Sequence, residues 1–240
     1  MNQLRGVDPL MYIRAVGLLV RNPVIMVVPL LMAIIGVFVA QLDGGAGGGG
    51  GFSIAGITGF LVLLLQLFGF GTATIMADQA WRRNRTSFDD GWTEARQKGR
   101  DILFAALGFT FVLSIAGFAG RLVGFLALFI YAAAVFFLIY TIPAAAIGGV
   151  PGGAALQVSI ERARANPIPT VVVTVVAVGV YFLFNLILAP FLIGTIAPLA
   201  FQSANLIASL IGAVFQSIVI GYIALIVGKT YSDVSFGNRY

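Results

Sequence analysis

The sequence predicts an all-α polytopic membrane protein, with six transmembrane helices arranged as three hairpins. Three observations carry that prediction. Of the 240 residues, 60% are hydrophobic and 10% charged, against about 25% charged in soluble domains, and the mean hydropathy is +1.02. The apolar residues fall into six runs, each near the roughly 20 residues that a bilayer core requires. Lys and Arg collect in alternate connections between those runs, which is the asymmetry that sets membrane orientation.

The first span is expected over 23–42. Pro23 suits a first helical position, and Pro29 is expected to kink the helix further on. The run is too long for a signal-peptide core and no small-residue cleavage site follows it, so it is expected to stay in the mature protein. Residues 43–53 form a flexible Gly-rich external loop. Gly45, Gly47 and Gly50 satisfy GxGxxG, but no strand precedes them and no phosphate-binding Lys or ribose-binding acid follows in register, so the run reads as a linker. The second span is expected over 54–77 and the third over 102–119. A single helix from 102 to 142 would be about 60 Å long, twice the bilayer core. A turn is therefore expected at Gly117, Gly120 and Arg121, with the fourth span over 122–142. The fifth covers 170–189, closed by Pro190, and the sixth 205–228. Residues 229–240 read as a cytoplasmic tail, and 1–240 as a single membrane domain.

Arg5, Arg14, Arg21, Arg82, Arg83, Arg85, Arg96, Lys98, Arg100, Arg162, Arg164, Lys229 and Arg239 all fall on one side of this arrangement, and Arg121 alone on the other. That places both termini in the cytoplasm, with the protein multi-pass in a bacterial inner membrane. It also accounts for the net charge of +5 without a nucleic-acid partner. The chain has no Cys and no His, which removes disulfides, thiol nucleophiles, imidazole relays and the usual zinc and haem ligands. Nine scattered carboxylates make a poor all-oxygen metal site. No cofactor and no metal is expected.

Three segments on the basic side, 8–23, 86–101 and 152–167, each suit a short amphipathic helix leading into a span. In the middle one Thr86 or Ser87 can cap the start, with Asp89 and Asp90 in the first turn. Phe88, Trp92 and Ala95 form its apolar stripe, and Glu94 and Lys98 an i,i+4 pair. In the third segment Leu156, Ile160 and Ala163 form the stripe, and Asn166-Pro167 breaks the helix. These helices are expected at the lipid headgroups. Trp81, Arg82, Arg83, Phe88, Trp92, Arg162 and Arg164 are the candidate contacts there with lipid or a partner. Arg21-Asn22-Pro23-Val24 echoes Ala165-Asn166-Pro167-Ile168; the middle unit has no such element.

The stretch 142–170 resembles a pattern in a loose group of six-helix bacterial membrane proteins, among them the membrane portion attached to some glycerophosphodiester phosphodiesterases. The pieces that carry it are Ile142-Pro143-Ala144 at the end of span four, Ala155-Leu156, Ser159 and Asn166 in the next helix, and the earlier 87–96 stretch. The resemblance implies a six-helix architecture. It implies no activity, since these 240 residues hold no phosphodiesterase catalytic domain.

No ionisable residue lies near the centre of a span, where one would mark an ion path or relay. Gln66, Asn185 and Gln216 are the deep polar residues, with Thr110, Ser114, Thr174 and Ser209 as minor members. Their expected role is hydrogen bonding between helices. The carboxylates Asp78, Asp89, Asp90, Glu94 and Asp101 share one loop with six basic residues, and mutual pairing explains them without catalysis. The function expected is therefore non-catalytic: an accessory or structural subunit contacting the bilayer, other membrane proteins or copies of itself. The alternative is a small-solute or lipid permease with a path near Gln66, Asn185 and Gln216.

Overall fold

The computed structural model describes residues 8–43, 54–123, 127–188 and 204–237. Of these 92% are helical, with no strand among them. Five helical stretches are long and apolar enough to cross a membrane, or six when one bent pair is counted as a single span. The all-helical, multi-pass expectation holds at that level.

α1 (Pro9–Arg21) starts where the Asp8 carboxylate accepts the Leu10 N–H at 2.9 Å, with Pro9 in the first position. It ends at Asn22. A 3₁₀ turn (Pro23–Met26) leads into α2 (Val27–Asp43), and the chain bends by 90° between α1 and this second segment. Pro29 thus lies in the first turn of α2, where its missing N–H is harmless, and the kink expected further along is absorbed into the joint.

α3 (Ile54–Arg83) and α4 (Phe88–Val123) follow. Two expectations are corrected here. Segment 86–101 is no separate interfacial helix but the first turns of α4, because no Pro interrupts it before the span, unlike the Asn-Pro joints. The turn expected at Gly117–Arg121 is helix as well. Gly117 serves instead as a close-approach point, since a Cβ there would lie 2.7 Å from the Tyr131 hydroxyl. α4 is described as helix through Val123, residues 124–126 lie outside the description, and α5 (Ala127–Leu138) follows. The Gly-rich loop from 44 to 53, the side chain of Arg121, the close of the fifth span at 189–190 and the last residues 238–240 lie outside the description.

Span four is itself broken, into α5 and α6 (Thr141–Ala146). Then come α7 (Gly152–Ala165), α8 (Pro167–Leu183), a π-helical turn (Phe184–Leu188) and α9 (Ala204–Phe236). α9 continues through most of the expected tail, with Lys229 and Asp233 paired one turn apart. It stops at Gly237, whose φ of +70° suits glycine and whose N–H reaches back to the Asp233 carbonyl.

α2 packs on α3, α4 on α5 and α8 on α9, while α9 also lies against α2 and α3. At 1.5 Å per residue, α3, α4 and α9 are about 45–54 Å long, well beyond the ~30 Å hydrocarbon core. The overhang of these three helices, with α6 and α7, is where the interior is best packed. Met76, Ala80, Ala95, Ile102, Ala144, Ala163, Leu225 and Tyr231 are all buried there. Toward the opposite end large apolar side chains stand outward, including Phe118 and Leu186, each 67% exposed. That surface suits acyl chains or other helices.

Candidate functional site: the polar end of the bundle

The polar side chains of the overhang act mainly on places where the backbone is interrupted. Pro143 has no N–H, and its ring conflicts with the carbonyl four residues back, so α5 ends at Leu138. The Ser159 hydroxyl of α7 repairs the break. It donates to the Phe137 carbonyl at 2.7 Å and accepts the Tyr140 N–H at 3.1 Å. The Thr170 hydroxyl donates to the Asn166 carbonyl at 2.6 Å. Its contact with the Tyr140 hydroxyl at 3.2 Å therefore has tyrosine as donor.

α4 holds the α6–α7 connection from both sides. Lys98 donates to the Ala146 carbonyl at 2.8 Å, the negative end of α6. Asp101 accepts the Gly152 N–H at 3.2 Å, the positive start of α7. Each charge matches the helix end that it meets. Lys98 also pairs with Glu94 at 2.7 Å, as its spacing predicts. Glu94 in turn accepts from Gln79 at 3.0 Å, and Gln79 accepts the Thr86 hydroxyl at 2.8 Å. The acids and bases expected in one solvated loop are therefore spread over two packed helices. Asp78 is buried within α3 and pairs with Arg82 at 2.8 Å.

A third junction centres on Asn22, which is 4% exposed. Its amide donates to the Leu18 carbonyl at 3.0 Å and the Asn84 carbonyl at 3.4 Å, and its oxygen accepts the Thr86 N–H at 3.0 Å. The end of α1 is thereby fastened to the α3–α4 loop. Asn84 there has a φ of 57°, which Asn tolerates better than most residues.

The predicted contact residues divide among several roles. Trp81 is half-buried, and its indole N–H donates to the Leu225 carbonyl at 3.0 Å, with the Lys229 ammonium 5.9 Å from its ring. It pins α3 to α9 and is not a free headgroup anchor. Phe88 and Trp92 stack with ring centres 6.1 Å apart, and Ala95 below them is fully buried. Ser87 is the cap, its hydroxyl accepting the Asp90 N–H at 3.2 Å. Arg83 is exposed. Arg164 lies 5.7 Å over Phe137, and Arg162 is half-buried. The buried line of α7 is Gly152, Ala155, Ser159 and Ala163, not the Leu156–Ile160–Ala163 stripe. Small residues let α7 approach α4 closely, and Leu156 then packs on Gly108, 2.6 Å from where its Cβ would be.

No hydrogen bond joins any two of Gln66, Asn185 and Gln216 among the described residues. Asn185 is exposed and donates to the Tyr181 carbonyl of its own helix at 2.8 Å. Ser114 similarly returns to the Thr110 carbonyl. The buried Thr110 and Thr174 hydroxyls have no partner among the described residues. These bonds run within helices rather than between them. On α1, burial pushes the Tyr12 hydroxyl above its usual range, with Tyr222 a smaller cause.

Sequence reasoning passed over Asn22 and Ser159 as functional positions. Asn22 was visible in the Asn-Pro echo and Ser159 in the quoted 142–170 stretch, but neither one's partners can be read from spacing. No three His, Cys, Asp or Glu gather as a metal site among the described residues. No protein-family model matches the chain, and no curated protein or solved structure is significantly similar to it.

Proposed function

We propose that this chain is a non-catalytic accessory or structural subunit of a bacterial inner membrane, acting by contact with other membrane proteins and with lipid. It crosses the bilayer six times as three hairpins, α2–α3, α4–α5/α6 and α8–α9, with both termini and the overhang in the cytoplasm. The one-sided distribution of Lys and Arg supports that orientation. The five helices long and apolar enough to cross a membrane, or six with the bent pair counted as one span, support the span count.

The observation that carries the role is how the polar groups are used. In the overhang they satisfy helix ends, breaks and one another, and along the spans Ser114, Asn185 and Ser217 bond back to carbonyls of their own helices. The broad exposed faces are apolar. Such a surface offers contact area rather than a reaction centre or a polar path. Purification from native membranes in mild detergent tests this reading. A stoichiometric co-purifying membrane subunit is the expected result, and a lone monodisperse chain overturns it. Reporter fusions test the topology separately: a reporter inserted at Gly48 should be external and one at either terminus cytoplasmic.

A further inference from the structure

We infer that α1 and the Asn22 junction together form a binding surface for an anionic phospholipid, with acyl chains along α1 and the phosphodiester headgroup on Arg21, Arg83 and Arg85. This deepens the lipid contact proposed above, and rests on that reading only for α1 lying along the bilayer surface.

α1 stands at 90° to the segment that enters the membrane, so it runs along the surface when α2 crosses. Its residues sort into three sectors at about 100° per residue. Met11, Ala15, Leu18 and Leu19 are buried against the protein. Ile13, Val16 and Val20 share a second sector and are strongly exposed, Ile13 at 70% and Val20 at 76%. Arg14 and Arg21 lie together on the third, about 110° from the apolar exposed sector. A helix with one face on protein, one apolar face free and a cationic edge between them matches the acyl–headgroup boundary.

The headgroup part comes from the junction. Asn22 bonds to Asn84 and Thr86, and an arginine immediately precedes each of these three residues: Arg21, Arg83 and Arg85. All three are exposed, and none has an ion-pair partner among the described residues. The adjacent Arg82 is held by Asp78. The clamp thus brings the backbones that carry three exposed arginines together at the end of α1, and guanidinium pairs well with phosphate oxygens. The lipid supplies both the negative charge and the chains that the Ile13–Val16–Val20 face would cover.

The test uses the intact chain in detergent, with phosphatidylglycerol and phosphatidylcholine as probes and lipid retention read by native mass spectrometry. Phosphatidylglycerol should be retained preferentially. The R21Q/R85Q variant should lower that preference about thirtyfold, and R96Q/R100Q, with the same loss of charge, should leave it unchanged. Equal loss in both variants, or none in R21Q/R85Q, overturns the inference. In vesicles, Trp in an Ile13→Trp variant should be quenched by brominated acyl chains; absence of quenching also overturns it. Neither readout depends on whether a protein subunit co-purifies.

Discussion

Asn22-Pro23 and Asn166-Pro167 do the same thing to the backbone and different things to the fold. Asn22 has φ −128° and ψ 66°, and Asn166 has φ −133° and ψ 65°. Each ends a surface helix, each side-chain amide returns to the carbonyl four residues back, at 3.0 Å from Asn22 and 3.3 Å from Asn166, and each hands the chain to a Pro that opens the next helical segment. The local sequence dictates that much, because Pro excludes the helical conformation from the residue before it. Beyond the joint they part. The Asn22 amide reaches 62 and 64 residues away to fasten the α3–α4 loop. The Asn166 side chain stays on its own helix, and only its carbonyl is used further, by Thr170. One motif therefore makes a bend in both places and a tertiary clamp in one.

The sharpest way to break this comparison is Asn22→Ala. It removes three hydrogen bonds around a buried amide and should cost about 3 kcal/mol at roughly 1 kcal/mol per bond, read from thermal unfolding in detergent. A loss no greater than that of Asn166→Ala would show that the long-range bonds add nothing. Ser159→Ala tests the other repaired interruption. It leaves the Phe137 carbonyl and the Tyr140 N–H unpaired in a buried place, which should cost about 2 kcal/mol. Asn166→Ala, which removes only a helix-end bond, should cost about 1 kcal/mol. The smallest effect is expected from replacing Gln66, Asn185 and Gln216 together by Leu. Because no hydrogen bond joins any two of them among the described residues, stability should change by less than about 1 kcal/mol per site, and no solute flux into liposomes should be lost. Abolished flux would instead revive the permease reading.

Legibility in the sequence followed the range of the interaction. The Glu94–Lys98 pair, a cap at Thr86 or Ser87 and the Asn-Pro bends all act within about four residues and are readable from spacing, while the structure selects Ser87. The middle unit differs from the other two at its joint. Charged residues at 89–101 suggested a helix lying on the surface, whereas the absence of a Pro there lets α4 run straight from the overhang into the span. The buried face of α7 lies one position from its apolar stripe, because the packed line is made of small residues. The candidate site was the least readable part. The polar groups that organise it, Asn22, Gln79, Lys98, Asp101 and Ser159, meet partners 15 to 64 residues away.

By itself the sequence determined the environment: apolar runs of bilayer length, with Lys and Arg collected in the connections between them, since cations within lipid are costly. It also determined where the chain must bend, since proline's ring and missing N–H act locally and need no partner. Only the tertiary structure decided which of those bends are locked, how α6 and α7 are held against α4, and which loop the end of α1 is fastened to. Those outcomes depend on hydrogen bonds and packing between segments far apart in the chain, and no periodicity encodes such meetings.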